Sequence, residues 1–523
     1  MPFYVAQGGT SLYRVTTAGV ATALTLPAGI DVRSTHRLRG ALLGNQILLV
    51  NSPSENLTLD KDANLRRLCP QPPASAPLLS ATGSGTLTGS YQVKCTFFVK
   101  DAYGNQIAES SFGPVSNIQA VAAQYLKAAQ VPLSAETISG RRLYRTTTSG
   151  TTYFPWIEID GNTVTDVQDD QSDISLQLLA APTDLGPPPK FELIAAWKNR
   201  LWGKPVEEID TLYQSGNGKA YAFPASRTIP IPPTNADTTG ISGFLPRRDE
   251  LGIGKRNSLH KITGTNETNF TRGTVADGIG IWAPDSCVVV HDVGYFLGNP
   301  FGIYTWGPGG IKNVSDPKVK AWFESDTYFN RAEFDNAWGF YDPTTNSYIL
   351  LLSGAGVTTL NRWIQYDIAT GNFWGPHKTD AFTPTGGVTL RDTNDVAIPV
   401  IFGSDGKLYK SQTTKTDATS TGVDFDVTTN FLSGNSPTVM KFWDQPEIAT
   451  KVLASGTLTI TPTVGKLNAA AGAPISHTMT TGHEALRRLG TGELCQLRFQ
   501  NSVNAINTVI YGIELPFSEV GQR

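Results

Sequence analysis

Residues 341–375, YDPTTNSYILLLSGAGVTTLNRWIQYDIATGNFWG, decide how the rest of the chain is read. An Asp-Pro turn leads into an apolar run, a Gly-rich break into an alternating aromatic run, and Thr370-Gly371-Asn372 into Phe-Trp. Tyr348 to Leu352 is apolar at every position, the pattern of an inner strand packed on both faces. Residues 363–368, WIQYDI, alternate as a more peripheral strand, and Thr370-Gly371-Asn372 supplies a tight turn between strands. Such a small sheet cannot bury its faces alone, so it needs neighbours of the same kind.

Those neighbours are visible along the chain. FELIAAWKNRLWG (191–203), RRDELGIGKRNSLHKITG (247–264), CVVVHDVGYFLGNPFGIYTWGPGG (287–310) and IPVIFGSDGKLYKSQ (398–412) read as aromatic-rich hairpins. A turn residue followed by an apolar-aromatic pair recurs in GTSLYRV (9–15), NSLHKIT (257–263), NPFGIYTW (299–306) and DGKLYKS (405–411). The spacing of roughly 45–55 residues is that of a repeat built from one small antiparallel sheet. About two such units precede residue 72 and about five follow residue 187, and radial repetition of them gives a β-propeller; stacked sandwiches are the other all-β solution. N-terminal strands are expected to complete the last sheet.

Two proline-rich breaks, CPQPPASAP (69–77) and LGPPPK (185–190), bracket a stretch of different texture. There Tyr91, Val93, Cys95, Phe97 and Val99 alternate, and turns recur every 8–12 residues or so, as in a β-sandwich. From about 425 the strands are longer and lack the repeated phrase. The expected organisation is therefore all-β: first propeller strands over 1–72, an inserted fibronectin-III-like sandwich over 73–186, remaining propeller blades over 187–424, and a jelly-roll-like antiparallel sandwich over 425–523. A short helix is expected only at HEALRRLG (483–490).

Composition limits the function classes. Of 523 residues only 17% are charged, against roughly 25% in average soluble proteins. Lys and Arg total 42 and Asp and Glu 45, a net charge of −3, so no global basic field draws the chain to nucleic acid. Cys69, Cys95, Cys287 and Cys495 stand far apart, fitting neither a zinc site nor a disulfide framework, and point to a reducing compartment. No apolar run approaches the ~18 residues of a membrane helix, and MPFYVAQGG lacks the parts of a signal peptide.

No catalytic constellation stands out. His36, His260, His291, His377, His477 and His483 are scattered, and His291-Asp292 has no nucleophile motif to serve. GIGKRNS (252–258) lacks the spacing of a phosphate loop and reads as a hairpin turn. Asp166, Asp169, Asp170 and Asp173 depart from calcium-loop spacing and read as an acidic strand end. A propeller glycosidase would need two carboxylates about 5–10 Å apart, for which Asp249, Glu250 and Asp335 are candidates. Trp202, Trp306, Trp338, Trp363 and Trp374 could line a sugar groove, but at strand ends they read as packing residues. No catalytic, cofactor-binding or metal residue is assigned, and no cofactor is expected.

LTGSYQVKCTFFVKDAYGNQIAESSFG (87–113) with GRRLYRTTTSGTTYF and IDGNTVTDVQDD (140–170) resembles fibronectin-III-like domains embedded in bacteriophage virion proteins. AAWKNRLWG (195–203) and RRDELGIGKRNSLHKITG (247–264) are similar to the propeller section of phage tail proteins, in particular the tail nozzle or tail tubular proteins of short-tailed phages. The resemblance implies a non-enzymatic virion component, assembled in the host cytoplasm as a homo-hexameric ring. It implies contact with adjacent head–tail adaptor proteins and tail fibres, and passage of genomic DNA through the lumen without sequence-specific binding. A peripheral baseplate, fibre-attachment or receptor-binding role is the alternative, and a glycan-degrading propeller enzyme a third.

Overall fold

The computed structural model describes residues 3–51, 54–178, 182–233, 237–379, 382–410, 425–429, 431–433, 436, 438–452, 456–466, 469–479, 482–485, 488–501 and 508–519. The protein is all-β, with a few short helical turns. It divides into two compact units: Met1–Lys378 with Pro384–Phe402, and Thr379–Thr383 with Gly403–Arg523.

The quoted stretch forms most of one four-stranded antiparallel meander, Trp338–Asp342, Ser347–Ser353, Leu360–Asp367 and Phe373–Lys378. Ser347–Ser353 is buried throughout. Tyr348, Leu350 and Leu352 join Ile364 and Tyr366 on one face, against Tyr295, Leu297 and Ile303 of the preceding sheet. On the following side, Gly386 and Gly387 lie against Trp338 and Phe340, which pair with Leu351 and Ile349. This sheet is thus packed from both sides, which is why its second strand carries no polar alternation.

The same local meander recurs. Two sheets precede the sandwich: Phe3–Gly8, Ser11–Thr16 and Ala21–Ala23, then Arg39–Leu43, Gln46–Val50, Leu57–Leu59 and Leu65–Arg67. Behind it come sheets opening with Phe191–Trp197, Gly243–Pro246, Gly280–Ile281, Trp338–Asp342 and Pro384–Arg391. Inner strands pack side by side in chain order, Arg39–Leu43 on Phe191–Trp197, that on Gly243–Pro246, then Val288–Val290, Trp338–Asp342 and Pro384–Arg391. The expectation that N-terminal strands complete the last sheet is corrected, because Phe3–Gly8 pairs with Ser11–Thr16 in a sheet of its own. The Tyr4 hydroxyl nevertheless donates to the Arg391 carbonyl at 2.8 Å. A short hairpin closes locally before any distant edge competes for it.

Turn chemistry sets each register. Lys198-Asn199 and His291-Asp292 both adopt positive φ at the two central positions of two-residue hairpins, the twist such turns require. Asp101 Oδ1 accepts from the amides of Tyr103 (2.9 Å) and Asn105 (2.8 Å), and its Oδ2 from Asn105 Nδ2 (3.1 Å). These bonds, the Asn105 side chain's first, hold the Asp101 carboxyl below its ordinary value. A depressed folded-state value stabilises above the unfolded value and is lost as pH falls through the folded one. Asp101→Ala is therefore expected to lower the melting temperature at neutral pH, and its difference from wild type is expected to shrink as pH falls through the folded-state value.

The sandwich places Gln106–Glu109, Val93–Lys100, Gly140–Thr146 and Tyr153–Asp160 over Val167–Asp169, Gln119–Ala129 and Leu78–Tyr91. Val93, Cys95, Phe97, Leu126, Leu143 and Trp156 fill its core. It lies within the first compact unit. Ala108 packs on Tyr221 and Ala222, Gln106 Nε2 donates to the Tyr221 hydroxyl at 2.9 Å, and Arg67 meets Glu136 at 2.6 Å.

The second unit contains antiparallel sheets around Trp443, Ile460, Cys495, Leu497 and Phe499. The helix expected at 483–490 is corrected: Gly482–Ala485 is a strand paired with Glu447–Val452, and Gly490–Gly492 pairs with Lys441–Trp443. A helix of two turns barely nucleates in water, so available strand partners override its propensity.

Candidate functional site

Arg37 and Arg39 come from the start of the second sheet, and Asp285 from the helical turn Pro284–Ser286. Arg39 Nε and Nη2 reach Asp285 Oδ1 and Oδ2 at 2.7 and 3.1 Å, and Arg37 Nη1 reaches Oδ2 at 2.9 Å. Arg37 Nη2 also donates to the Asn336 carbonyl at 2.7 Å, while its guanidinium lies 5.1 Å from the Trp338 ring centroid. The carboxylate is 8% exposed, the two arginines 28% and 23%. Burial pushes the Asp285 carboxyl up, but the charges and hydrogen bonds of Arg39, then Arg37, outweigh it and hold it below the ordinary range. Asp285 is therefore an ionised clamp across three sheets and has no proton to give. Beside it opens a recess of about 300 Å³ lined by residues 39–42, 193–196 and 243–244 and by Pro246, Pro284 and Cys287.

The carboxylates singled out in the sequence are each occupied separately. Asp249 pairs with Lys198 at 3.3 Å, Glu250 with Arg247 at 2.8 Å and Lys261 at 2.5 Å, and Asp335 with Arg256 at 2.9 Å. Trp202 is buried against Trp197 and Phe270, Trp306 lies under Arg247, and Trp338 donates to the Gly387 carbonyl at 2.6 Å. Trp363 packs on His377, and Trp374 alone of the five is exposed. In GIGKRNS, Lys255 is buried and bonded to Asp210 at 2.6 Å, while a Cβ at Gly280 would overlap the Lys255 carbonyl. That loop is a closed turn, with no cradle for a phosphate.

His291-Asp292 is a turn whose Asp292 Oδ1 accepts from the Arg248 amide at 2.7 Å. His260 is buried between Ser258 and Thr274, and burial pushes its pKa down, with Arg272 and Lys255 adding to the effect. His36 is exposed beside Thr35. The side chains of His477 and His483 lie outside the described residues. Asp166 binds Lys127 at 3.2 Å and Asp173 binds Arg145 at 3.1 Å, and no group of three His, Cys, Asp or Glu among the described residues could hold a metal ion. All four cysteines are free thiols, and burial pushes Cys69, Cys95 and Cys495 up to about 12.

No family model and no curated protein matches the chain. Among solved structures it is similar to PorZ, an essential bacterial surface component of the type-IX secretion system of Porphyromonas gingivalis. That match is 8% identical over 98% of this chain and 79% of the other, with a TM-score of 0.26. A second match is an exo-β-1,3-galactanase from Phanerochaete chrysosporium, 9% identical over 98% and 100% of the two chains, TM-score 0.18. Likenesses this remote carry no activity across.

Proposed function

We propose that the chain is a structural subunit of a bacteriophage tail, a nozzle or tubular ring protein that extends the DNA-ejection channel and helps retain the genome. One observation carries this reading alongside the sequence resemblance: charged and polar side chains join one sheet to the next. Trp197 Nε1 donates to the Arg247 carbonyl at 2.6 Å, Arg247 reaches Asp292, Lys255 reaches Asp210, and Tyr348 donates to the Ser286 carbonyl at 2.8 Å. These four contacts bind three successive pairs of sheets, so the polar groups named here serve the seams and do not converge on one cleft. Rigidity is what a conduit wall requires, and a near-neutral chain lets phosphates pass without being held. Six copies would meet head to tail in a closed ring.

Electron microscopy of intact particles containing the chain is expected to place it as a ring of six on the tail axis. Peripheral density would favour the receptor-binding alternative and sink the nozzle reading. Purified protein incubated with host polysaccharide is expected to release no reducing ends; release would transfer the case to a glycan-cleaving enzyme.

A further inference from the structure

Two arginines lie on the inner face of the sandwich, and they are provided for differently. Arg145 meets Asp173 at 3.1 Å, the Gln171 carbonyl at 2.8 Å and the Tyr91 ring. Arg141 sits opposite Phe97 on one neighbouring strand and Ile159 on the other, both core residues, and is fully buried. Its Nε donates to the Gly161 carbonyl at 3.2 Å. Its Nη1 and Nη2 are shut off from solvent and meet no acceptor among the described residues. Glu158 and Asp160 flank Ile159 and point the other way, Glu158 to Lys100 and Arg142, Asp160 into solvent. Burial pushes the Arg141 pKa down, and the group that offsets this is Cys95, whose thiol burial pushes up to about 12 and so keeps neutral. A guanidinium holds its proton at any ordinary pH. A full positive charge therefore stands between the sheets with no negative one beside it.

We propose that Arg141 anchors a buried site for a single small monovalent anion, chloride, held by Nη1 and Nη2 between the two sheets of the sandwich. An unpaired charge in a dry core is costly, and a counter-ion relieves it where water would satisfy only the hydrogen bonds. The Nε bond to Gly161 fixes the plane of the guanidinium, so its outer N–H groups offer charge-assisted bonds in a set direction. Phe97 and Ile159 add no donors of their own, so a dianion would keep one charge uncompensated. The inference stands independently of the tail reading, since it rests on the sandwich alone.

The test is hydrogen exchange on the full chain in sodium chloride, sodium bromide and sodium gluconate at equal ionic strength. The Gly161 amide donates to the Ser139 carbonyl at 2.7 Å and the Ser139 amide to the Phe98 carbonyl at 2.9 Å, so both report opening of the backbone beside Arg141. At about 0.1 M chloride, a site with a Kd of about 10 mM slows exchange through that opening about tenfold. Bromide, close to chloride in size, is expected to act alike, and gluconate, too bulky to enter, to give no protection. The amide of Asn105, bonded to Asp101 in the distant turn, is expected not to respond to the anion. Arg141→Met removes the charge and keeps most of the side-chain length, so it is expected to fold and to lose the chloride response. Should that variant not fold, the contrast between Gly161 and Asn105 in the wild type decides alone. Equal exchange in chloride and gluconate would mean that water alone solvates the guanidinium and would overturn the proposal. A response shared equally by Asn105, or one that survives in Arg141→Met, would overturn it too.

Discussion

Asp285→Ala is expected to destabilise the first compact unit by about 3 kcal/mol, near the lower end of what removing one partner of a buried ion pair costs. The loss arises less from the missing attraction than from what remains, two guanidiniums facing each other with no carboxylate between them. Their partial exposure, 28% and 23%, lets water recover part of the penalty. Asp285→Asn keeps the shape and one acceptor, so it should cost less, about 1–2 kcal/mol. Acid should mimic the substitution. Because the folded-state carboxyl is held below its ordinary value, its stabilisation is complete above the unfolded value and fades as pH falls through the folded one. The difference between wild type and Asp285→Ala should therefore shrink on acidification below about pH 4. Urea melts of both proteins at neutral and acidic pH read this directly, with hydrogen exchange at the amides of residues 285–287 confirming where the loosening occurs. An unchanged midpoint at neutral pH would show that the clamp contributes nothing.

The clamp also marks where the sequence stops being legible. Each of the repeated four-stranded sheets, such as the one from Trp338 to Lys378, is a local meander, so its strands and turns are written within about fifty neighbouring residues. Thr370-Gly371-Asn372 returns the chain as its composition predicts, with Gly371 at φ +69° and the Gly371 amide on the Asp367 carbonyl at 2.8 Å. Arg37 and Arg39, by contrast, lie 248 and 246 positions from Asp285. Arg39 opens a strand and Arg37 lies two residues before it, and nothing in that spacing names a partner. The sandwich holds a similar surprise. Arg141 and Arg145 flank Leu143 on its inward register and are fully buried, an arrangement that alternation assigns to apolar residues. Arg145 is accommodated because its guanidinium lies 4.8 Å from the Tyr91 ring centroid and donates to the Gln171 carbonyl at 2.8 Å. The segment 483–490 departs from its helical propensity for the opposite reason: that propensity is local, while the Glu447–Val452 strand that pairs with Gly482–Ala485 lies some thirty residues away.

Trp202→Ala should have the largest effect of any single truncation in the repeated sheets, about 3–5 kcal/mol. Trp202 sits opposite Ala195 in the hairpin closed by Lys198-Asn199, fully buried, with Trp197 at 5.6 Å and Phe270 at 5.1 Å between ring centroids. Its Nε1 donates to the Trp197 carbonyl at 3.1 Å, so truncation empties an aromatic-sized volume and removes a buried hydrogen bond together. Phe270 arrives from the loop between two strands of the next sheet, and Leu251, Ile253 and Ile262 complete the same cluster. The cavity would therefore open at a seam between successive sheets, where neither can collapse without moving the other. Trp202→Phe keeps most of the volume and should cost under about 2 kcal/mol. The same pair of variants separates packing from sugar recognition. A tryptophan lining a glycan groove could be truncated with little change in the urea midpoint and a loss of carbohydrate binding. A tryptophan closing a seam does the reverse, and a midpoint that stays put in Trp202→Ala would mean that the sheets are held together by something other than their interlocked aromatic faces.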